Sequence, residues 1–157
     1  MNIFYLNEDP IKAAKHQYNK HIVKMIVESA QMLCTAHRHY GNEDVPYKST
    51  HIKHPSTKWV IENRMHYDWL YLHMIALGNE YKKRYNKTHL TIEKCRDVLS
   101  NNPPGQPFDF FKQPPQAMPE AYKDDCSVEA YWNYYIGGKQ HIANKNEDIK
   151  KEKPVEL

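Results

Sequence analysis

The chain has 157 residues and a net charge of +3, from 22 Lys and Arg against 19 Asp and Glu. This length predicts one domain with one core, and the mild positive charge permits nucleic-acid binding without requiring it. The three cysteines are widely spaced, which favours a reducing compartment, and no apolar run approaches the roughly 20 residues of a membrane span. The sequence therefore predicts a protein that is neither exported nor embedded in a membrane.

The first predicted elements are a short apolar segment and a long helix. Residues 2–6 are apolar and predict either a strand or an extended arm packed on the core. Asp9 is a favourable helix cap, and Pro10 suits the first helical position. Nothing then breaks a helix before Gly41, so the first long helix is predicted to continue to Tyr40, about eight turns in all.

A second long helix is predicted from Thr57, capped by Ser56, to Tyr85, and it should pack antiparallel to the first. Thr91 is predicted to cap a short third helix that ends near Leu99. The remaining predicted elements are a proline-rich wrapping loop at 101–125, a last helix that starts at Ser127 and is interrupted or ended at Gly137-Gly138, and a charged, disordered tail at 144–157. The predicted fold is mainly α: a single domain, residues 1–143, built on two long antiparallel helices plus shorter helices and a proline-rich wrapping loop.

The first long helix carries a narrow polar stripe on an otherwise apolar surface. Its members are three and four residues apart, so that neighbours touch: His21, Lys24, Glu28, Gln31 and Thr35. A helix with this much apolar surface is expected to be central, where an unpaired Lys24 or Glu28 costs on the order of several kcal/mol. Either the two form an ordinary ion pair on a solvated stripe, or they line a cleft. In a cleft, a desolvated Lys24 could act as a nucleophile beside the Glu28 carboxylate, with His21 assisting proton transfer.

The connection before the second helix is rich in hydroxyl groups, histidines and lysines. Backbone N–H groups and the helix dipole favour an anion at a helix N-terminus, and flanking lysines add to that preference. The predicted phosphate-binding residues are Lys48, His51, Lys53, His54, Ser56, Thr57, Lys58 and Arg64. The alternative interpretation is a polar surface loop with a good helix cap.

A weaker alternative is a metal-dependent hydrolase. Glu62, His66 and His73 lie in one sector of the second helix, and Glu28 could join them from the facing helix. His66 and His73 are about two turns, roughly 10 Å, apart, which is too far for both to bind one ion without further ligands. Solvated or hydrogen-bonded histidines are therefore favoured, and no cofactor is expected.

Three runs resemble a family of uncharacterised proteins from tailed phages. They are His21-Ile-Val-Lys-Met-Ile-Val-Glu-Ser-Ala-Gln-Met-Leu33, His54-Pro-Ser-Thr-Lys-Trp-Val60 and Ala117-Met-Pro-Glu-Ala-Tyr122. More distantly, the layout resembles that of the phage pyrimidine-dimer DNA glycosylases and lyases often called endonuclease V: a short extended N-terminus, a long first helix with a glutamate, a second long helix and an aromatic C-terminal region. This resemblance implies an all-helical fold in which an amine attacks the sugar C1′ to form a Schiff base and a carboxylate assists.

In the glycosylases, the nucleophile is the N-terminal amine that is exposed when the initiator methionine is removed, which requires a small second residue. The second residue here is Asn2, so Met1 is expected to be retained. Three possibilities stay open: the Met1 amine is the nucleophile, Lys24 is the nucleophile with Glu28 as its partner, or the chemistry is absent.

The leading hypothesis is a phage protein that acts on nucleic acid in the cytoplasm of the infected cell, as a DNA glycosylase and abasic lyase or as another base-modifying enzyme. Its expected partner is DNA or other nucleic acid, with no membrane partner. The alternative is a non-catalytic protein that binds a host protein or a nucleotide signal, with the aromatic and proline-rich segment at 108–122 as its contact surface.

Overall fold

In the computed structural model, residues 1–155 are described, and their regular secondary structure is entirely helical. The elements are α1 (Pro10–Lys15), α2 (Asn19–His39), α3 (Pro55–Glu62), α4 (Arg64–Tyr85), α5 (Leu90–Cys95) and α6 (Ser127–Gly138), with single 3-10 turns at Glu120–Tyr122 and Gln140–Ile142. The predicted mainly α fold is confirmed. None of the helices in this part of the chain combines the length and the apolarity needed to cross a bilayer.

Helices α2 and α4 pack side by side and form the scaffold of the molecule. Arg84, at the end of α4, donates to Asn19 Oδ1 at the start of α2, at 2.9 Å. At the opposite end, His37 Nε2 lies 2.8 Å from the hydroxyl of Tyr67. These contacts join the end of each helix to the beginning of the other, so the predicted antiparallel arrangement is confirmed.

Residues 2–6 form an arm and not a strand, and the backbone of the arm bends at Phe4, which has φ +55°. The side chains of residues 3 to 6 are at most 3% exposed, so the arm lies inside the core. It is fixed at both ends, because Asn2 Nδ2 donates to Ala117 O at 2.9 Å and Trp132 Nε1 donates to Leu6 O at 2.7 Å. The first residue of the chain is thereby held at a defined place against the helices.

The prediction of one continuous first helix was wrong, because the structure has two helices in its place. Helix α1 ends at Lys15 and α2 begins at Asn19, so that residues 16–18 separate the two helices. In the gap, Tyr18 N donates to the hydroxyl of Tyr135 at 2.9 Å, and Arg84 donates to Lys15 O at 3.0 Å. Backbone groups that a continuous helix would pair internally are satisfied by side chains 117 and 69 positions away.

The predicted second long helix is likewise interrupted, at Asn63. Its backbone is extended, with φ −159° and ψ 167°, and its side chain caps α4. The predicted caps Ser56 and Thr91 were also wrong, since His54 and His89 hold the cap positions. The Nδ1 atom of each histidine accepts the backbone N–H two residues further on, at 3.0 and 3.1 Å.

The predicted end of the third helix near Leu99 was wrong, because α5 ends at Cys95. The predicted start of the first helix and both ends of the last helix are confirmed. Asp9 Oδ1 accepts the N–H of Ile11 at 2.8 Å, with Pro10 at the first helical position. The last helix begins at Ser127 and ends at Gly138.

The proline-rich segment at 101–125 wraps around the helices as predicted. Gln106 Nε2 donates to Val60 O at 3.0 Å, and Trp59 Nε1 donates to Lys112 O at 2.9 Å. The segment therefore closes one side of the core.

The tail contacts the helices within the described residues. Glu147 accepts the N–H of Asn19 at 2.9 Å, and Lys150 N donates to the hydroxyl of Tyr18 at 2.8 Å. The domain boundary at residue 143 and the disorder of the tail stay predictions, and residues 156–157 lie outside the described part of the chain.

A candidate active site beside the first residue

A cleft of about 300 Å³ lies where the first residue, α2 and the loop before α3 meet. Its lining residues are Met1, Lys24, Glu28, Gln31 and His51. Three successive members of the polar stripe thus meet the N-terminal amine and a histidine from the loop. The structure has features of both sequence interpretations, because these three residues line a cleft while Lys24 and Glu28 also form an i,i+4 ion pair with Lys24 exposed.

The N-terminal amine and a carboxylate form the centre of this cleft. Met1 N lies 3.5 Å from Glu28 Oε1, and the side chains of Met1 and Glu28 are only 2% and 13% exposed. Asn2 sets this geometry, because its Oδ1 accepts the N–H of Ile3 at 2.7 Å and of Phe4 at 3.1 Å, which turns the chain at its first residue. A primary amine beside a carboxylate can attack an electrophilic carbon while the carboxylate handles protons.

Lys24 stands at the rim of the cleft. Its Nζ lies 3.6 Å from Glu28 Oε2, one helical turn away, and its side chain is 71% exposed. Lys24 lacks the desolvation that the cleft interpretation required of a nucleophilic lysine, because the stripe faces solvent at this point. Lys24 adds positive charge at the rim without the burial that would make a lysine a stronger nucleophile.

His21 is not among the residues that line the cleft. It is 5% exposed, its ring stacks on Phe4 with centroids 4.2 Å apart, and its Nδ1 lies 2.8 Å from the hydroxyl of Tyr135. Burial, with a smaller contribution from the charge of Lys139, lowers the pKa of His21 to about 3. The ring is therefore neutral at physiological pH and fixes α2 against the arm and α6.

The loop before α3 is anchored to α2 through Thr35. Thr50 N donates to Thr35 Oγ1 at 3.1 Å, and the same hydroxyl donates to Gln31 O at 2.8 Å. The next residue, His51, has φ +49°, in the left-handed region that few side chains adopt. This turn brings the His51 side chain to the cleft.

Five of the eight predicted phosphate ligands fall into two groups. Lys48, Lys53 and Lys58 are exposed on the loop and on α3. Ser56 and Thr57 are completely buried, and their hydroxyls have no hydrogen-bond partner among the described residues. The lysines face solvent, whereas the two hydroxyls do not.

Of the remaining three predicted phosphate ligands, His51 lines the cleft, and the other two are His54 and Arg64. His54 caps α3 through Nδ1, and its pKa is lowered by burial first and then by the positive N-terminal amine, so its ring lies near the cleft. Arg64 is exposed at the start of α4, where its Nε donates to Gln106 O at 2.8 Å. It is not one of the residues that line the cleft.

The two histidines of the metal alternative are engaged within the core, whereas Glu62 is exposed and Glu28 lines the cleft. His66 and His73 are fully buried, and Glu62 pairs with Lys112 at 2.7 Å. Every ring nitrogen of the two histidines has a protein hydrogen-bond partner: Trp59 O and Lys112 N for His66, and Pro10 O and the Gln17 amide for His73. Across residues 1–155, His, Cys, Asp and Glu side chains form no group of three that could hold a metal ion.

The surface expected for a partner protein lies outside the cleft. Phe108 and Phe110 are 66% and 81% exposed in the wrapping loop. They are available for a contact, and binding of a host protein or a nucleotide through this segment stays a prediction.

Two residues of the site were not among the predicted site residues. Gln31 follows Glu28 by three positions in the polar stripe, and that spacing was the available signal. Asn2 was singled out only for its size, and its contact with the carbonyl of Ala117, 115 positions away, had no signal in the sequence.

A family model described as pyrimidine dimer DNA glycosylase matches residues 1–93, more than half of the 157-residue chain. The matched part contains the arm, helices α1 to α4 and every residue that lines the cleft. The chain matches no curated protein and no solved structure.

Proposed function

The chain belongs to the pyrimidine dimer DNA glycosylase family, and from that premise we propose that it removes a damaged base from DNA and cleaves the resulting abasic site, with the Met1 α-amine as nucleophile. The observation that carries this proposal is the amine itself, 3.5 Å from the Glu28 carboxylate in a cleft open to a substrate. The family description makes a pyrimidine dimer the first lesion to test.

The proposed reaction begins with attack of the neutral amine on C1′ of the sugar. The N–C1′ bond forms, and the C1′–base bond breaks with its electron pair on the base, which takes up a proton. The nitrogen then loses a proton, and the C1′–O4′ bond opens with protonation of O4′, leaving an iminium ion. Loss of a proton from C2′ expels the 3′ phosphate and cleaves the strand.

Glu28 has two roles in this sequence. Its negative charge stabilises the positive charge that develops at C1′ and on the attacking nitrogen. It also accepts the proton that the nitrogen loses before the ring opens and delivers it to O4′. The Glu28 side chain lies between the Met1 amine and Lys24 and is only 13% exposed. Little water therefore screens its charge, which strengthens the electrostatic stabilisation.

The α-amine is a better candidate for the nucleophile than Lys24. α-Amino groups ordinarily titrate about two pH units below lysine side chains, so a larger fraction is neutral near pH 7. The exposure of Lys24 removes the desolvation that could offset this difference. Lys24 is therefore assigned to substrate attraction at the rim.

Lys48, Lys53 and Lys58 are proposed to contact the DNA backbone, because they are exposed on α3 and on the loop that also carries His51. Each phosphate contact makes the slope of log K, where K is the DNA association constant, against log salt concentration more negative by about 0.9. The K53A/K58A variant should therefore bind duplex DNA with a shallower salt dependence than the control variant K82A/K83A, at the far end of α4. Equal slopes for the two variants would remove these lysines from the interface.

Borohydride trapping tests the chemistry. The protein is incubated with duplex DNA that carries either an abasic site or a thymine dimer, borohydride is added, and the adduct is located by peptide mass spectrometry. We expect an adduct on the Met1 peptide, unchanged in Lys24→Met and lost when the α-amine is selectively acetylated. An adduct on Lys24, or none on either DNA, would contradict the proposal.

A further inference from the structure

We infer that His51 is the proton-transfer group of the cleft: it takes a proton from the Met1 ammonium group and returns it to the departing base. This inference, which rests on the proposed function, gives His51 a chemical role in place of the phosphate contact that its loop position suggested. It would also explain how an amine that is paired with a carboxylate becomes neutral before it attacks.

The backbone at His51 is the first reason. A residue other than Gly in the left-handed region costs about 1–2 kcal/mol, and such residues concentrate at functional sites. His51 adopts φ +49° at the one point where the loop reaches the cleft. The strain is maintained by the anchor between Thr50 and Thr35, which ties the turn to α2 one residue before His51.

The hydrogen bonds of the ring give the second reason. His51 Nδ1 lies 2.8 Å from Thr50 Oγ1, an interaction that fixes the ring and engages this nitrogen. In the tautomer whose Nδ1–H donates to Thr50 Oγ1, Nε2 carries no hydrogen and can take up a proton in the cleft. A fixed ring with one nitrogen engaged is the arrangement that a general acid or base requires.

The charges around the ring are the third reason. The groups that face it are the Met1 amine from the arm, Lys24 and Glu28 from α2, and His54 from its own loop. The Glu28 carboxylate can stabilise an imidazolium ring that forms when the proton is transferred.

Proton affinities also favour an imidazole over a carboxylate as the first acceptor. Free α-amines, imidazoles and glutamate carboxyls titrate near pH 8, 6.5 and 4.3, so transfer from the amine is uphill by about 1.5 pH units to an imidazole and about 3.5 to a carboxylate. In the proposed step, one ammonium proton moves to His51 Nε2, and the nitrogen pair forms the N–C1′ bond. The C1′–base pair leaves with the base, and the base takes the proton from Nε2. His51 is regenerated, and Glu28 handles the second proton as described above.

The test compares pH profiles of the intact protein and of His51→Asn. Asn tolerates the left-handed backbone, so this variant removes the titrating ring without adding strain. At pH 7, single-turnover base excision should fall about 100-fold. Borohydride trapping at a preformed abasic site, where no base departs, should also fall at pH 7 but recover to within about threefold at pH 9, since hydroxide then deprotonates the amine.

His39→Gln is the matched control. His39 is exposed near the end of α2 and is not one of the cleft residues, so this variant should keep the wild-type profile for both reactions. If His51→Asn fails to fold, His51→Gln replaces it with the same expectation. Each variant is first compared with wild type by circular dichroism and thermal unfolding.

Three results would overturn the inference. Equal rates for His51→Asn and wild type at every pH would show that the ring is not needed, while the proposed function would stand. A uniform loss with an unchanged pH profile and weaker DNA binding would make His51 a phosphate contact. Absence of any adduct with the wild-type protein would instead remove the proposed function itself.

Discussion

Single side chains decide the chemistry of the cleft, and Glu28 is the first to test. Glu28→Gln keeps the size of the side chain but removes the charge opposite the Met1 amine. Excision should fall by about 100-fold or more, because a positive charge that develops in the reaction loses its counter-charge. Single-turnover excision of a dimer-containing duplex measures the effect.

The control for this variant is Glu43→Gln. Glu43 pairs with Arg38 beyond the end of α2, and its side chain is 73% exposed, so its loss should cost little stability and no activity. Wild-type excision by Glu28→Gln would remove this carboxylate from the mechanism.

Asn2 determines the position of the proposed nucleophile, the Met1 α-amine. A small residue at position 2 permits removal of the initiator methionine, so Asn2→Ala should lose Met1 and place the new amine one residue, about 3.8 Å, further along the arm. Asn2→Asp keeps a large residue and the Oδ1 acceptor for the Ile3 and Phe4 amides, and it should retain Met1. Intact mass and borohydride trapping together measure both effects, with trapping expected to fall at least tenfold in Asn2→Ala only. Full trapping by a protein that lacks Met1 would show that the position of the amine is not critical.

At the scale of the helices, the sequence predicted what local signals specify. The polar stripe followed from helical periodicity, and the start of α1 followed from Asp9 and Pro10. The break between α1 and α2 had no such signal, because Tyr135 and Arg84 complete its hydrogen bonds from far along the chain. The cleft likewise has one part with a local signal and one part without. Its α2 side was predictable from helical periodicity, but the approach of Met1 and His51 depends on how the arm and the loop pack.

Arg84 stabilises the break between α1 and α2, and its substitution should therefore lower the stability of the protein. It donates to Lys15 O at 3.0 Å, to Gln17 O at 2.8 Å and to Asn19 Oδ1 at 2.9 Å, and its side chain is 22% exposed. Arg84→Ala leaves these acceptors unpaired and should lower the free energy of unfolding by about 2 kcal/mol. Urea unfolding measures the change. Lys83→Ala, one residue earlier and exposed, should change stability by less than about 0.5 kcal/mol. An equal effect of the two substitutions would show that the break needs no support from α4.

For the molecule as a whole, buried histidines set the dependence of stability on pH. Burial lowers the pKa of His21 to about 3 and that of His73 to about 4, from an ordinary 6.5. The unfolded chain therefore binds protons at these positions as the pH falls below about 6.5, while the folded chain does not bind them until about pH 3–4. Their contribution to stability is complete above pH 6.5 and is lost on acidification through this window, by up to about 1.4 kcal/mol per pH unit for each ring. Burial shifts the pKa of His37 and of His66 in the same direction, which steepens the loss.

Thermal unfolding between pH 7.5 and 4.5 measures this dependence. His73→Gln removes one titrating group whose two ring nitrogens contact Pro10 O and the Gln17 amide. The variant should be less stable than wild type at pH 7.5 but should lose less stability per pH unit below 6.5. His39→Gln, on an exposed position, should keep the wild-type slope. A wild-type stability that stays constant down to pH 4.5 would mean that protons reach these rings without unfolding the helices around them. In that case the close packing of the arm between α2, α4 and α6, which also holds the Met1 amine in the cleft, would have to open in the native protein.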